Sequence, residues 1–213
     1  MTKNPVSSTV RRCTPGSQLV PRIAFDFHGT IADPKKALEA LLIEFRGRRG
    51  REPGPHELSM MKDQVHTNIP YIAQFVEPVP GSIELLQELA LGSSQIFIVT
   101  SSNADASNAV LQWLQYRQVD TCISAFFMSG RHRMKREAFI PGMFDLFIEN
   151  CPRQAGELRR FRIARYVILL TCGDRVARGR LPRGVITAKD FGEVRTHIQR
   201  LLPSALSHAR QTA

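Results

Sequence analysis

Three residues suited to phosphate chemistry stand at the ends of short, largely apolar runs. Asp26 closes Arg22-Ile-Ala-Phe-Asp, Thr100 closes Gln95-Ile-Phe-Ile-Val-Thr, and Glu149 follows Phe144-Asp-Leu-Phe-Ile. A carboxylate presented at the exposed end of a buried strand can attack phosphorus and form an aspartyl-phosphate. Attack on a phosphate dianion is opposed electrostatically, and Mg²⁺ held by hard oxygen ligands relieves that opposition. Taken singly each residue has a blander use, since Asp and Thr commonly cap turns and helices. Placed on three strand ends, they can make one site.

For that to happen the strands must lie side by side and parallel. Strand and helix signals alternate along the 213 residues, which predicts βαβ units and a three-layer α/β sandwich with a mainly parallel, Rossmann-like sheet. In such a sheet the ligand lies beyond the carboxyl ends of the strands, where the three polar tips converge. Strands are predicted at 22–26, 95–100, 123–128, 144–148, 166–170 and 184–187. Helices are predicted at 34–46, 82–91, 104–116 and 190–202, the last capped by Asp190. The stretch 47–55, GRRGREPGP, reads as a loop, and 56–76 as one or two helices interrupted at Pro70. Residues 33–80 are too long and too helical for a simple connection. They are read as a small helical cap inserted over the site, leaving 22–32 plus 81–213 as the core domain and 1–21 as a basic flexible tail.

The run Ile23-Ala-Phe-Asp-Phe-His-Gly-Thr-Ile-Ala-Asp33 resembles the first motif of the haloacid dehalogenase-like (HAD-like) superfamily. That motif is an apolar strand followed by Asp-x-Asp-Gly-Thr, here Asp26-Phe27-His28-Gly29-Thr30. IFIVTSS resembles the second motif, with Thr100 in the place of its Thr or Ser, and DLFIENCP resembles the fourth, with Glu149-Asn150 where paired acids stand. The likeness covers residues 22–200, and FVEPVPGSIELLQEL and the proline after the last motif look most similar to the branch of the 5′(3′)-deoxyribonucleotidases. The resemblance implies Asp26 as nucleophile and Mg²⁺ held by Asp26, the main-chain carbonyl of His28 and Glu149, with Asn150 reaching a bound water. It implies Thr100 and Ser101 on the phosphate, and a cation from the third motif. Lys135 is the candidate for that cation, with Arg136 and Arg133 as substitutes. The implied substrate is a small phosphorylated molecule, nucleotidase-like, selected by a cap in which Phe45, His56, His66, Tyr71 and Phe75 are available.

Two departures from the pattern touch catalysis. The acid two residues after the nucleophile, which protonates the leaving group, is His28 here. Imidazole can do acid–base work near neutral pH, but a neighbouring Mg²⁺ would oppose its protonated form. Glu149-Asn150 keeps one charged metal ligand and loses the other, which weakens a site for an ion intolerant of misplacement. Three readings follow: a weak or specialised Mg²⁺-dependent phosphohydrolase; a pseudoenzyme that keeps the phosphate pocket as a binding or structural subunit; and a metal-independent dehalogenase-type hydrolase using the same Asp26.

Composition bounds the rest. The chain is 43% hydrophobic and 23% charged, an ordinary globular balance. No apolar run approaches the roughly 20 residues that span a bilayer, so no membrane partner is expected. Cys13, Cys122, Cys151 and Cys172 form no Cys-x-x-Cys pair, which argues against a disulfide framework or zinc site and for a reducing, cytoplasmic setting. Cys122 and Cys172, beside apolar runs, are expected as small core residues. The acid-free start with Lys3, Arg11 and Arg12 makes a mitochondrial transit segment the alternative. The net charge of +10 and pI near 10.1 favour phosphorylated or polyanionic partners. Arginine is concentrated at Arg153, Arg159, Arg160, Arg162, Arg165, Arg175, Arg178, Arg180 and Arg183. This C-terminal region is either a nucleic-acid contact or a solvated basic face, without the aromatic interleaving that single-strand platforms use.

Overall fold

Ile23, Ala24 and Phe25 are fully enclosed although successive side chains of a strand point to opposite faces. Such a strand must lie inside a sheet covered by helices on both sides. The computed structural model describes residues 20–67, 76–92, 94–100, 104–128, 135–172 and 181–210, and it places this strand at the centre of a six-stranded sheet. The strands are β1 (Arg22–Asp26), β2 (Ala32–Asp33), β3 (Glu77–Pro78), β4 (Gln95–Thr100), β5 (Ala125–Met128), β6 (Phe144–Glu149), β7 (Ala164–Leu170) and β8 (Ile186–Ala188). The helices are α1 (Lys35–Arg49), α2 (Pro55–Thr67), α3 (Ser82–Leu91), α4 (Ala104–Tyr116), α5 (Pro152–Arg160) and α6 (Phe191–Leu201).

The sheet order is β5-β4-β1-β6-β7-β8 with every pairing parallel. Two apolar clusters cover its faces. Ile23, Phe25, Ile98 and Ile148 meet Leu86 of α3, Trp113 of α4 and Val194 of α6 on one side. Ala24, Val99, Phe147 and Val167 meet Ala155 and Leu158 of α5 on the other. This is the expected helix–sheet–helix sandwich. Register brings the carboxyl ends level: Asp26 pairs with Val99, one residue before Thr100, while Phe25 pairs with Ile148, one before Glu149.

Several boundaries differ from the sequence expectation, each for a local reason. α1 continues through Gly47 to Arg49 and stops at Gly50, whose φ of 64° lets its N–H donate to the Arg46 carbonyl. The predicted loop at 47–55 therefore shrinks to 50–54. β5 starts at Ala125 because residues 120–122 form a 3₁₀ turn. β7 begins two residues early, at Ala164, and β8 two residues late, at Ile186. α5 was not anticipated; Pro152 opens it and only Ala155 and Leu158 are buried, too few to show periodicity. β2 and β3 form a short antiparallel pair that brackets α1 and α2. The stretch holding Pro70, Tyr71 and Phe75 lies outside the described residues, as do the first 19.

Candidate active site

The site is built on the end of β1 and the turn that follows it. The Phe27 carbonyl accepts the N–H groups of Ile31 (2.9 Å) and Ala32 (3.0 Å), and the Gly29 N–H donates to the Ala32 carbonyl at 2.7 Å. The turn needs glycine at 29 twice over. Its φ is +80°, and a Cβ there would run into the Asn150 side chain arriving from the end of β6. The same turn returns Thr30, fully buried, so that its hydroxyl donates to Asp26 Oδ2 at 3.4 Å.

Asp26 itself is only 7% exposed and meets Lys135 Nζ through Oδ1 at 2.5 Å. The same ammonium donates to Glu149 Oε2 at 2.6 Å, and both Lys135 and Glu149 are 1% exposed. Glu149 Oε1 accepts the main-chain N–H groups of Asn150 and Cys151, each at 3.1 Å. Lys135 lies 5.3 Å from the Phe147 ring centroid, a further favourable contact for a buried cation. One ammonium thus serves two buried carboxylates. Burial raises the Glu149 carboxyl first, the Asp26 carboxylate adds to it, and Lys135 only partly opposes them, leaving a pKa of about 7. For Lys135, burial favours the neutral amine, but Asp26 and Glu149 outweigh it and hold the pKa above the ordinary lysine value.

Thr100, 1% exposed, and half-buried His28 stand beside this array and face each other, Oγ1 to Nδ1, at 3.4 Å. The His28 ring also meets Phe27 edge-on at 4.9 Å, and Phe27 in turn meets Trp113 at 5.2 Å. The sequence-predicted residues therefore come together in three linked groups: Asp26–Lys135–Glu149, Thr100–His28, and Asn150 on Gly29. Ser101 and Arg133 lie outside the described residues, as does the Arg136 side chain. Of the cap candidates, Phe45 is half-buried under Arg51 (5.3 Å) and His56 is exposed; the His66 side chain, Tyr71 and Phe75 fall outside the described residues. Thr30 carries no role that spacing alone reveals, because its link to Asp26 depends on the turn. Cys172, expected in the core, is exposed, with Sγ 3.9 Å from the Gly29 carbonyl. Its φ of 48° lifts it out of the line of β7.

The donor chemistry suits Mg²⁺. Asp26, Glu149 and the main-chain carbonyl of His28 are hard oxygens, and among the described residues the two carboxyl groups share one monovalent cation. Among the described residues no group of three or more His, Cys, Asp or Glu side chains could hold a metal. A cation here would therefore take its third protein oxygen from the main chain.

No protein-family model and no curated protein sequence matches this chain. Solved structures do match. A haloacid dehalogenase-like hydrolase family protein of Streptococcus pneumoniae is 17% identical, with 84% of this chain and 99% of that chain covered at a TM-score of 0.59. A protein assigned as a phosphoglycolate phosphatase, from Haemophilus somnus, is 13% identical over 86% and 100% at 0.58. A HAD hydrolase of Bacillus subtilis bound to magnesium is 11% identical over 84% and 98% at 0.60. The fold is that of the HAD-like hydrolases. Among the described residues, no helix is long and apolar enough to cross a membrane.

Proposed function

We propose that this chain hydrolyses a small phosphomonoester, nucleotidase-like in class, through an aspartyl-phosphate on Asp26. The observation that carries the reading is the buried Asp26–Lys135–Glu149 array at the carboxyl edge of the sheet, with Thr100 beside it. Asp26 attacks phosphorus, and the bond from phosphorus to the leaving oxygen breaks. That oxygen takes a proton from His28. Water then attacks the acyl phosphate and gives its proton back to His28, releasing inorganic phosphate and free Asp26. Lys135 pairs with Asp26 and neutralises one phosphoryl oxygen; the Thr100 hydroxyl, with Ser101, binds another. Asp26, the His28 carbonyl and Glu149 would hold Mg²⁺, with Asn150 on a bound water. When bound, that ion supplies the positive charge that offsets repulsion between carboxylate and phosphate. The segment 33–80, bracketed by β2 and β3, serves as the cap that selects the substrate.

Turnover is slow in this reading, because general acid–base help is worth about 10²–10⁴-fold and an imidazole stands in for the carboxylic acid. The test is hydrolysis of a generic aryl phosphate with and without Mg²⁺. We expect Mg²⁺-dependent turnover, lost in Asp26→Asn and raised in His28→Asp. An inert wild type rescued by His28→Asp with Asn150→Asp would mark a phosphate-binding pseudoenzyme. Halide release from a 2-haloacid without metal would mark dehalogenase chemistry on the same carboxylate.

A further inference from the structure

The parallel sheet has a second edge, at the amino ends of its strands, and the arginines gather there. α5 runs back from the active-site edge and ends at Arg159 and Arg160; the chain turns through Phe161 and Arg162, the latter at φ 56°, and enters β7 at Ala164. The approach to β8 brings Arg183 alongside. Arg159, Arg160, Arg162 and Arg183 line a depression of about 590 Å³, and Arg159, Arg162 and Arg165 line an adjoining one of about 690 Å³. Two basic residues in the last turn of α5 are explained by the helix dipole. Arg162, Arg165 and Arg183 are not.

Four arginines elsewhere on the surface are neutralised by acids. Arg46, Arg48, Arg51 and Arg195 are each ion-paired, with Glu52, Glu44, Glu57 and Glu88. Among the described residues, no ion pair joins Arg159, Arg160, Arg162, Arg165 or Arg183 to an acid. The acid in the second depression, Asp145, is already held by Arg22, through the main-chain N–H at 2.9 Å and Nε at 3.4 Å. Aromatic rings stand between the cations: Arg160 lies over Phe161 (5.5 Å), which is 39% exposed, and Arg165 over half-buried Tyr166 (5.1 Å). Both pairs are neighbours in sequence, within Arg159-Arg-Phe-Arg-Ile-Ala-Arg-Tyr166, which corrects the expectation that this region lacks aromatic interleaving.

We infer that this groove binds a single-stranded nucleic acid, the guanidinium groups taking successive phosphodiesters and Tyr166, which lines the second depression, offering aromatic surface to a base. The surface lies on the edge opposite Asp26 and works independently of the hydrolytic site. The test is fluorescence anisotropy of labelled single-stranded RNA and DNA oligonucleotides of mixed sequence with the full chain, across a salt series. Wild type should bind with a log–log salt slope of roughly −3, at ~0.7 per phosphate neutralised on a single strand. Arg160→Glu with Arg165→Glu and Arg183→Glu should weaken binding at least about tenfold and flatten the slope by ~2. The milder Arg→Gln set should do the same in part, with an unchanged melting temperature, and Asp26→Asn should bind as wild type. RNA bound more tightly than DNA, or the reverse, identifies the source of the strand; either supports the groove. Equal loss from reversing Arg46, Arg48 and Arg51 on the α1 side would overturn the inference. So would tighter binding of a duplex, equal displacement by polyglutamate, which marks an acidic protein partner, or no binding at all.

Discussion

At Glu149 the charge imbalance of the site becomes measurable. Its carboxyl is lifted from 4.5 to about 7 by burial and by Asp26, against the pull of Lys135. The folded chain therefore keeps a proton that the unfolded chain has released. The stability this supplies is complete below pH 4.5 and is lost as pH rises through about 7. For the metal-free protein in chelator, the unfolding free energy should fall across that interval by on the order of 3 kcal/mol relative to Glu149→Gln, measured by denaturant titration. A pH-independent difference between the two proteins would contradict it. Lys135 is the counterpart. Lys135→Met leaves Asp26 and Glu149 buried without a cation, and breaking a buried ion pair in this way costs about 3–5 kcal/mol. Urea unfolding should show that loss, and adding Glu149→Gln should return part of it. Among the site residues, Asp26, Thr100 and Glu149 were legible in the sequence because each ends an apolar run. Lys135 was not fixed by spacing alone; it starts a 3₁₀ turn outside the main strands, and its place between two carboxylates is seen only in the fold.

Elements were legible wherever a period or a cap chemistry reached the page. Asp190 is the clearest case: it sits in an extended conformation and its side chain accepts the Glu193 N–H at 2.9 Å, as the sequence predicted for the start of α6. Asp190→Ala should lower stability by about 1 kcal/mol in thermal or urea unfolding, with Asp190→Ser restoring most of it. No change in the alanine variant would mean that α6 is held by the packing of Phe191, Val194 and Ile198. The failures are equally physical. Gly47 reads as a stop but nothing crowds it, so α1 passes through and ends where Gly50 can adopt a left-handed φ. α5 buries two side chains among three arginines, and two-residue strands such as β2 and β3 carry no alternation at all.

On the scale of the whole molecule, one parallel sheet has two working edges. The carboxyl ends of β1, β4 and β6 collect Asp26, Thr100 and Glu149, and the amino ends of β7 and β8 collect arginines up to 24 residues apart, from Arg159 to Arg183. The first edge was legible because polar residues interrupt apolar runs; the second was not, because only the parallel pairing of β7 with β8 makes Arg162 and Arg183 neighbours. The net charge of +10 is therefore not evenly spent solvation but is concentrated in part on one edge. The most direct test of the hydrolytic edge is acid-quenched peptide mass spectrometry after incubation with an aryl phosphate and Mg²⁺. A single phosphoryl group should appear on the peptide containing Asp26, labile at alkaline pH and absent from Asp26→Asn. Phosphate release by the wild type with no such adduct at early or late times, or with undiminished release by Asp26→Asn, would contradict nucleophilic catalysis by this carboxylate.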